Sequence, residues 1–413
     1  MTKKLVLTAV LLFSSLFYSD ISMAATASES QEMEAKTDFV LKELFPTSIF
    51  GENKKTETQG LAPVAASATM TASESKKAEI KKNVLILCYH QFHVGTYKDA
   101  STSAANAYSI SVADFKRQLD EIKKEGCTVI SMDDYIDHLA GKKDIPEKSV
   151  IITIDDGYLS AYKYAYPLLK AYKYPSTFYV YSNWVGATKS SMTWDNVKEM
   201  DKSGFVTIGS HSRSHPYLTK PAITNSPKYK EILRDEIYNS KVIIEKELGH
   251  PITTFAYPYG TYNEDAILEV IKAGYSAAVS VKSGINNSSR DEWSMNRIII
   301  RNDTGFRTFI ALLNHYPIEL DYALLTPYDG QTVQSASFSL SMNITNYQAL
   351  SNTPKFYING VDHTHQLDLS KINNGIITGS ISGYKKGYNM ITILSNDKAT
   401  GGFREASWSF FAK

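Results

Sequence analysis

The chain has 413 residues, more than one average domain needs and enough for a large core plus a smaller module. Its 43% hydrophobic and 21% charged residues are those of a folded soluble protein. A formal net charge of +1 supplies no field to draw in a polyanion, which excludes nucleic acid as a partner.

At the N-terminus, Lys3 and Lys4 precede an apolar run over residues 5–17, and Ser22-Met23-Ala24 offers the small residues that signal peptidase reads. A signal peptide over residues 1–24 is therefore expected, with a secreted or cell-envelope-associated mature chain. Residues 25–82 read as a flexible spacer rich in Ala, Ser, Thr, Lys and Glu. Within it, residues 39–45 read as a short docking helix or as a transiently helical stretch. Cys88 and Cys127 both fall in predicted strands and are expected to be buried free thiols, although export permits a disulfide.

From Val84 the pattern changes to short apolar runs alternating with amphipathic segments. Val84-Leu85-Ile86-Leu87, Thr128-Val129-Ile130, Val150-Ile151-Ile152-Thr153-Ile154, Thr177-Phe178-Tyr179-Val180 and Phe205-Val206-Thr207-Ile208 read as buried strands. Thr254-Phe255-Ala256 and Ser276-Ala277-Ala278-Val279 continue the series. Helices fall between them: one is capped by Ser111 and Asp114, and a longer one buries Ile237, Ile244 and Leu248 before Gly249. Continuous apolar strands separated by helices predict an α/β domain over residues 83–317, a (β/α) barrel of seven or eight units, complete or not. After Pro317 no helical period survives. Residues 320–413 predict an all-β immunoglobulin-like sandwich, with Asn359-Gly360 as a hairpin turn and His363 and His365 exposed beside it.

Three elements at successive strand ends carry chemistry. Asp155 and Asp156 follow the strand ending at Ile154, and adjacent carboxylates there need a cation or a proton to offset desolvation. His211 and His215 follow the next strand but one; four residues apart, they share a face if that segment is helical, and both then reach one ion. Tyr257-Pro258-Tyr259-Gly260 ends a third strand, where Pro258 fixes the backbone so that amides can point at a reacting oxygen. Asp133-Asp134, by contrast, reads as a helix cap.

Together these elements resemble the NodB-homology polysaccharide deacetylases, carbohydrate esterase family 4, over about residues 84–315. The resemblance implies Asp155 as general base and Asp156, His211 and His215 as ligands of a divalent metal, usually zinc. It implies Tyr259 as donor of an oxyanion-binding amide, and His315, in Leu312-Leu313-Asn314-His315, as general acid. Asp291 and Trp293 resemble residues bordering the family's site. Where the family carries an arginine that orients the catalytic aspartate, this chain has Ala256, and Arg297 or Arg301 is expected in its place. Cys88-Tyr89-His90-Gln91-Phe92 is similar to the poly-N-acetylglucosamine deacetylase branch. The implied reaction removes N-acetyl groups from N-acetylglucosamine units. Peptidoglycan, chitin and a catalytically silent carbohydrate-binding protein stay open as alternatives. The C-terminal module is expected to associate with the polymer or cell wall and to take no part in bond cleavage.

Overall fold

The computed structural model describes residues 82–95, 107–287 and 291–413; the expected signal peptide, nearly all of the spacer and residues 39–45 lie outside them. Eight strands form one parallel sheet: β1 (Asn83–Tyr89), β2 (Thr128–Val129), β3 (Lys148–Ile154), β4 (Ser176–Val180), β5 (Val206–Ser210), β6 (Thr254–Ala256), β7 (Ala277–Val279) and β8 (Ile298–Ile299). Their order is β8-β1-β3-β4-β5-β6-β7, with β2 on the first half of β3 and β4 on its second half. Val84, Leu85, Ile86 and Leu87 are all buried, as they must be in a strand covered on both faces.

Ile86, Ile151, Tyr179, Ala256, Val279 and Met295 meet in one cluster although their strands span the whole order, so the sheet is curled into a partial barrel. Its ends approach at an isolated bridge between Val279 and Met295 instead of a ladder. Helices cover the outside. In α1 (Val112–Lys124), Ser111 accepts the Asp114 amide at 3.0 Å, and Phe115, Leu119 and Ile122 are buried. In α2 (Met132–Leu139), Ser131 and Asp134 close a capping box, whereas Asp133 bonds Thr253. The next are α3 (Tyr166–Tyr172) and α4 (Trp194–Asp201). Then α5 (Tyr229–Arg234) runs through a π turn at Asp235–Asn239 into α6 (Ser240–Leu248), which Gly249 ends at φ 82°. The outer layer finishes with α7 (Glu264–Lys272) and α8 (Phe306–Leu313).

The C-terminal module is all-β and has two sheets. In one, β10 (Lys355–Ile358), β12 (Gly387–Asn396) and β13 (Phe403–Ala412) pair antiparallel; in the other, β9 (Ser337–Asn343) pairs with β11 (Ile376–Ser382). Between them lie Leu340, Phe356, Ile377, Ile391, Trp408 and Phe410. Asn359 (φ 52°) and Gly360 (φ 78°) make the expected hairpin turn. The expectation of two exposed histidines holds for His365 only, because His363 is buried. Both cysteines are buried and free.

Gly209 in β5 lies against the fully buried Tyr179 ring, and an added Cβ would overlap it. Gly209→Ala is expected to cost about 1–3 kcal/mol by overpacking. The check is a urea unfolding curve with a lower midpoint and unchanged slope.

Candidate active site

Asp155 and Asp156 leave the carboxyl end of β3, where Asp156 (φ 73°) and Gly157 (φ 77°) turn the chain back on itself. The turn sends the two carboxylates to different partners. Asp155 is 1% exposed, and Arg297, which is fully buried, donates to both its oxygens at 2.7 Å. The Cys88 thiol lies 3.4 Å from Asp155 Oδ2. Burial alone would raise the Asp155 pKa, but the Arg297 charge beside it outweighs that and holds the carboxyl well below the usual range. Asp155 is therefore a fixed carboxylate. Arg297 is itself held by the Ser280 carbonyl at 2.8 Å and the Thr153 hydroxyl at 3.0 Å. Arg301, the other arginine expected near Asp155, faces Asp303 at 3.2 Å instead.

Asp156 has no such cation. Burial and the Asp155 charge push its pKa up to about 8, and its Oδ1 is buried without a hydrogen-bond partner. That oxygen lies 3.5 Å from His211 Nε2 and 3.5 Å from His215 Nε2, and the two nitrogens are 3.2 Å apart. His211 Nδ1 donates to the Ala256 carbonyl at 2.7 Å, which leaves its Nε2 as a lone pair. Burial pushes both imidazoles towards the neutral form. Three acceptors thus converge on one point. Ligands about 2.1 Å from a tetrahedral ion stand roughly 3.4 Å apart, which these separations match. Asp156, His211 and His215 fit a divalent metal ion, with a further position left for water or substrate.

The two histidines do not meet through a helical turn, as their spacing suggested. They lie on a loop in which Ser212 (φ 68°) and His215 (φ 62°) are left-handed. Sequence reasoning missed the residue that holds this loop. Glu236, fully buried in the π turn between α5 and α6, accepts the Arg213 amide at 3.0 Å and the Ser214 amide at 2.8 Å. Its neighbour Asp235 pairs with Arg213 at 2.5 Å. A charged residue in an amphipathic helix ordinarily reads as a solvent-facing position, and that masked Glu236.

The third element, Pro258–Gly260, is a 3-10 turn with Tyr259 left-handed at φ 57°. Gly260 packs so closely on Val281 that a Cβ would overlap it. The Tyr259 ring stacks on Tyr217 at 3.5 Å and lies 4.6 Å from His215. Beyond His215 the aromatic wall continues through Tyr181 at 5.3 Å to Trp184. Asp291 and Trp293 form a turn of their own: Asp291 accepts the Trp293 amide at 2.8 Å, and the Trp293 carbonyl accepts the Tyr257 hydroxyl at 3.0 Å.

His315 does not fit the role implied for it. It lies at the base of the barrel, with Phe403 at 5.0 Å and Glu405 at 3.7 Å. Its neighbour Asn314 bonds Lys148, the first residue of β3. The seven residues of β3 put roughly 20 Å between that end and Asp155. A different histidine is near: a ring nitrogen of His90, the Cys88 sulfur and an Asp155 oxygen lie within 4.8 Å of one another. These three do not call for a second metal, because Arg297 already balances Asp155 and burial pushes the Cys88 thiol up.

A curled parallel sheet with a carboxylate pair, two metal-facing imidazoles and a rigid aromatic turn at its strand ends defines a polysaccharide N-deacetylase domain. Residues 142–278 match the polysaccharide deacetylase family model, and the chain carries a polysaccharide deacetylase domain of the NodB-homology or carbohydrate esterase family 4 type. A poly-beta-1,6-N-acetyl-D-glucosamine N-deacetylase of Staphylococcus aureus (strain MRSA252) is 27% identical over 241 residues, which span 55% of this chain and 82% of that one. The Escherichia coli (strain K12) protein of the same name is 25% identical over 236 residues, 49% of this chain and 35% of its own. Among solved structures, a de-N-acetylase from Aggregatibacter actinomycetemcomitans superposes with TM-score 0.51 at 28% identity, over 56% of this chain and 100% of that one. IcaB from Ammonifex degensii gives 0.50 at 27%, over 56% and 97%.

Because Glu236 shapes the loop that carries both imidazoles, Glu236→Ala is expected to weaken zinc binding about 10–100-fold. Titration of the metal-free protein against a competing chelator measures this without reference to turnover.

Proposed function

We propose that this chain hydrolyses the N-acetyl groups of poly-β-1,6-N-acetylglucosamine outside the cytoplasm. The single observation that carries the reading is the joint geometry of Asp155 on Arg297 and Asp156 with His211 and His215. The names of the curated relatives and the aromatic wall from Tyr217 to Trp184 support the polymer assignment. A signal peptide ending at Ala24 agrees with an extracellular substrate.

Asp156, His211 and His215 would hold a divalent ion, which would supply a Lewis acid for the acetyl carbonyl and for water. Asp155, ionised and oriented by both nitrogens of Arg297, takes the proton of the attacking water. The rigid Tyr257–Gly260 turn aims the Tyr259 amide at the developing oxyanion. His90 replaces His315 as the group that relays to the departing amine the proton Asp155 takes from water: it stands beside Asp155 with a buried Nδ1 that has no hydrogen-bond partner, and burial, which lowers its pKa to about 4, keeps it neutral until that proton arrives. The products are acetate and a glucosamine amine. The two-sheet module, which we read as immunoglobulin-like, holds the enzyme on its polymer or on the cell wall.

Acetate release from poly-β-1,6-N-acetylglucosamine, chitin oligomers and peptidoglycan measures the assignment. The first should be the best substrate, with activity lost on chelation and restored by zinc; a clear preference for either of the others would refute the polymer reading.

Asp155→Asn keeps shape but cannot accept the proton, so turnover should fall about 1,000-fold or more while the protein still binds its metal. Metal content by elemental analysis beside single-turnover rates checks both halves of that statement.

A further inference from the structure

Between β7 and β8 one isolated bridge, with backbone hydrogen bonds from Ala278 to Glu292 and from Ser280 to Met295, stands in place of a ladder. The chain between those strands carries Arg297, so whatever stiffens this gap also sets the angle of the guanidinium on Asp155. A carboxylate from the C-terminal module reaches into it. Asp329 Oδ2 accepts Lys282 Nζ at 2.6 Å and Ser294 Oγ at 2.8 Å, while Oδ1 accepts the Tyr262 hydroxyl at 2.6 Å. From its own module, Oδ1 accepts the Ser409 amide at 2.9 Å and hydroxyl at 3.1 Å. The carboxylate is 5% exposed and the Lys282 side chain 1%. Lys282 also bonds the Tyr262 hydroxyl and lies 4.6 Å over the Tyr262 ring.

Each barrel donor adjoins a part of the site. Ser294 begins the short lead to Arg297. Lys282 stands two residues after Ser280, whose carbonyl holds Arg297 Nε at 2.8 Å. Tyr262 follows the turn that carries Tyr259, and within that turn Gly260 packs on Val281, the neighbour of Lys282. One carboxylate therefore ties together the Tyr259 turn, the carbonyl under Arg297 and the approach to Arg297 itself. Buried ion pairs contribute little net stability compared with apolar packing, but they fix geometry when every oxygen is bonded.

We propose that Asp329 is a positioning residue of the deacetylase site, contributed by the module and acting through Lys282, Tyr262 and Ser294 on Arg297 and the Tyr259 turn. The inference rests on the reading of Asp155 as the base that Arg297 orients. It is tested in the full chain on any acetylated substrate that the wild type hydrolyses, so a wrong polymer assignment does not alter the outcome.

Asp329→Asn should lower kcat about 10–100-fold with KM within about 3-fold, the effect expected of sub-ångström misplacement in an otherwise intact site. Zinc per chain should not change. Tyr262→Phe, which cuts one tie and removes no charge, should lower kcat about 3–10-fold. The double variant Lys282→Met with Asp329→Leu removes both charges at once, so its thermal midpoint should return towards the wild type. Its kcat should stay low, because the ties to Tyr262 and Ser294 remain cut. Recovery of wild-type kcat together with the midpoint in the double variant would reduce Asp329 to a purely structural contact. Wild-type kcat in Tyr262→Phe would overturn the proposal as well, and both of these variants decide it even where Asp329→Asn does not fold.

Discussion

Two carboxylates follow one another at the end of a strand that is buried on both faces, and the site is organised around neutralising them. Neither Asp155 nor Asp156 can stay ionised there without a positive partner, because desolvation of a lone carboxylate costs far more than a fold can offset. The chain solves the two cases differently. Arg297 gives Asp155 a permanent, bidentate partner at 2.7 Å on each oxygen. Asp156 faces two imidazoles that burial keeps neutral, so its charge calls for an ion from outside. One carboxylate is therefore always available as a base, and the other belongs to a metal.

This division demands precision, and the backbone shows where it is obtained. Among the described residues, the non-glycine positions with positive φ are Asp156, Lys173, Ser212, His215, Tyr259 and Asn359. Four of these are at the site. Each costs about a kilocalorie or more and persists only where its surroundings over-determine it. Those surroundings are identifiable: Glu236 holds the amides of the histidine loop, Val281 closes on Gly260, and the Ala256 carbonyl fixes the tautomer of His211. Second-layer contacts of this kind set ligand orientation as much as the ligands do.

Much of this was legible in the sequence, and the failures share one cause. The strands β1, β3, β4 and β5 stand out because a strand buried on both faces is a continuous apolar run. The site carboxylates and histidines stand out because they follow such runs directly. What local reading could not reach was any partner chosen by the closure of the barrel. Arg297 is 142 residues from Asp155, and only the curl of the sheet shows that it, rather than Arg301, faces inward. His90 stands in the Cys88–Phe92 motif, but nothing in that motif shows that it lies beside Asp155. Leu312-Leu313-Asn314-His315 has a suggestive spacing, yet α8 ends at the wrong end of the barrel. The four-residue spacing of the histidine pair suggests a helical turn, while two left-handed residues bring the rings together by another route.

The same limit applies to the domain boundary. Composition changes sharply after Pro317, and that change suggests a division between chemistry and attachment. In space the division is not clean. Tyr316 and Pro317 pair with Arg404 and Glu405 of β13, and further along that strand Ser409 binds the carboxylate that neutralises Lys282. Residues 82–413 accordingly fall into one compact unit. A barrel closed by a full ladder could shed a neighbouring module and keep its shape. This one closes through one isolated bridge and a few backbone hydrogen bonds, beside a buried lysine whose counter-charge comes from the other module. Removing that module would take the counter-charge away from a lysine that neighbours the segment carrying Arg297, and loss of one partner is what makes an ion pair of this kind costly. The pairing of Asp155 with its arginine is thus underwritten by a part of the chain that holds none of the candidate catalytic or metal-binding residues.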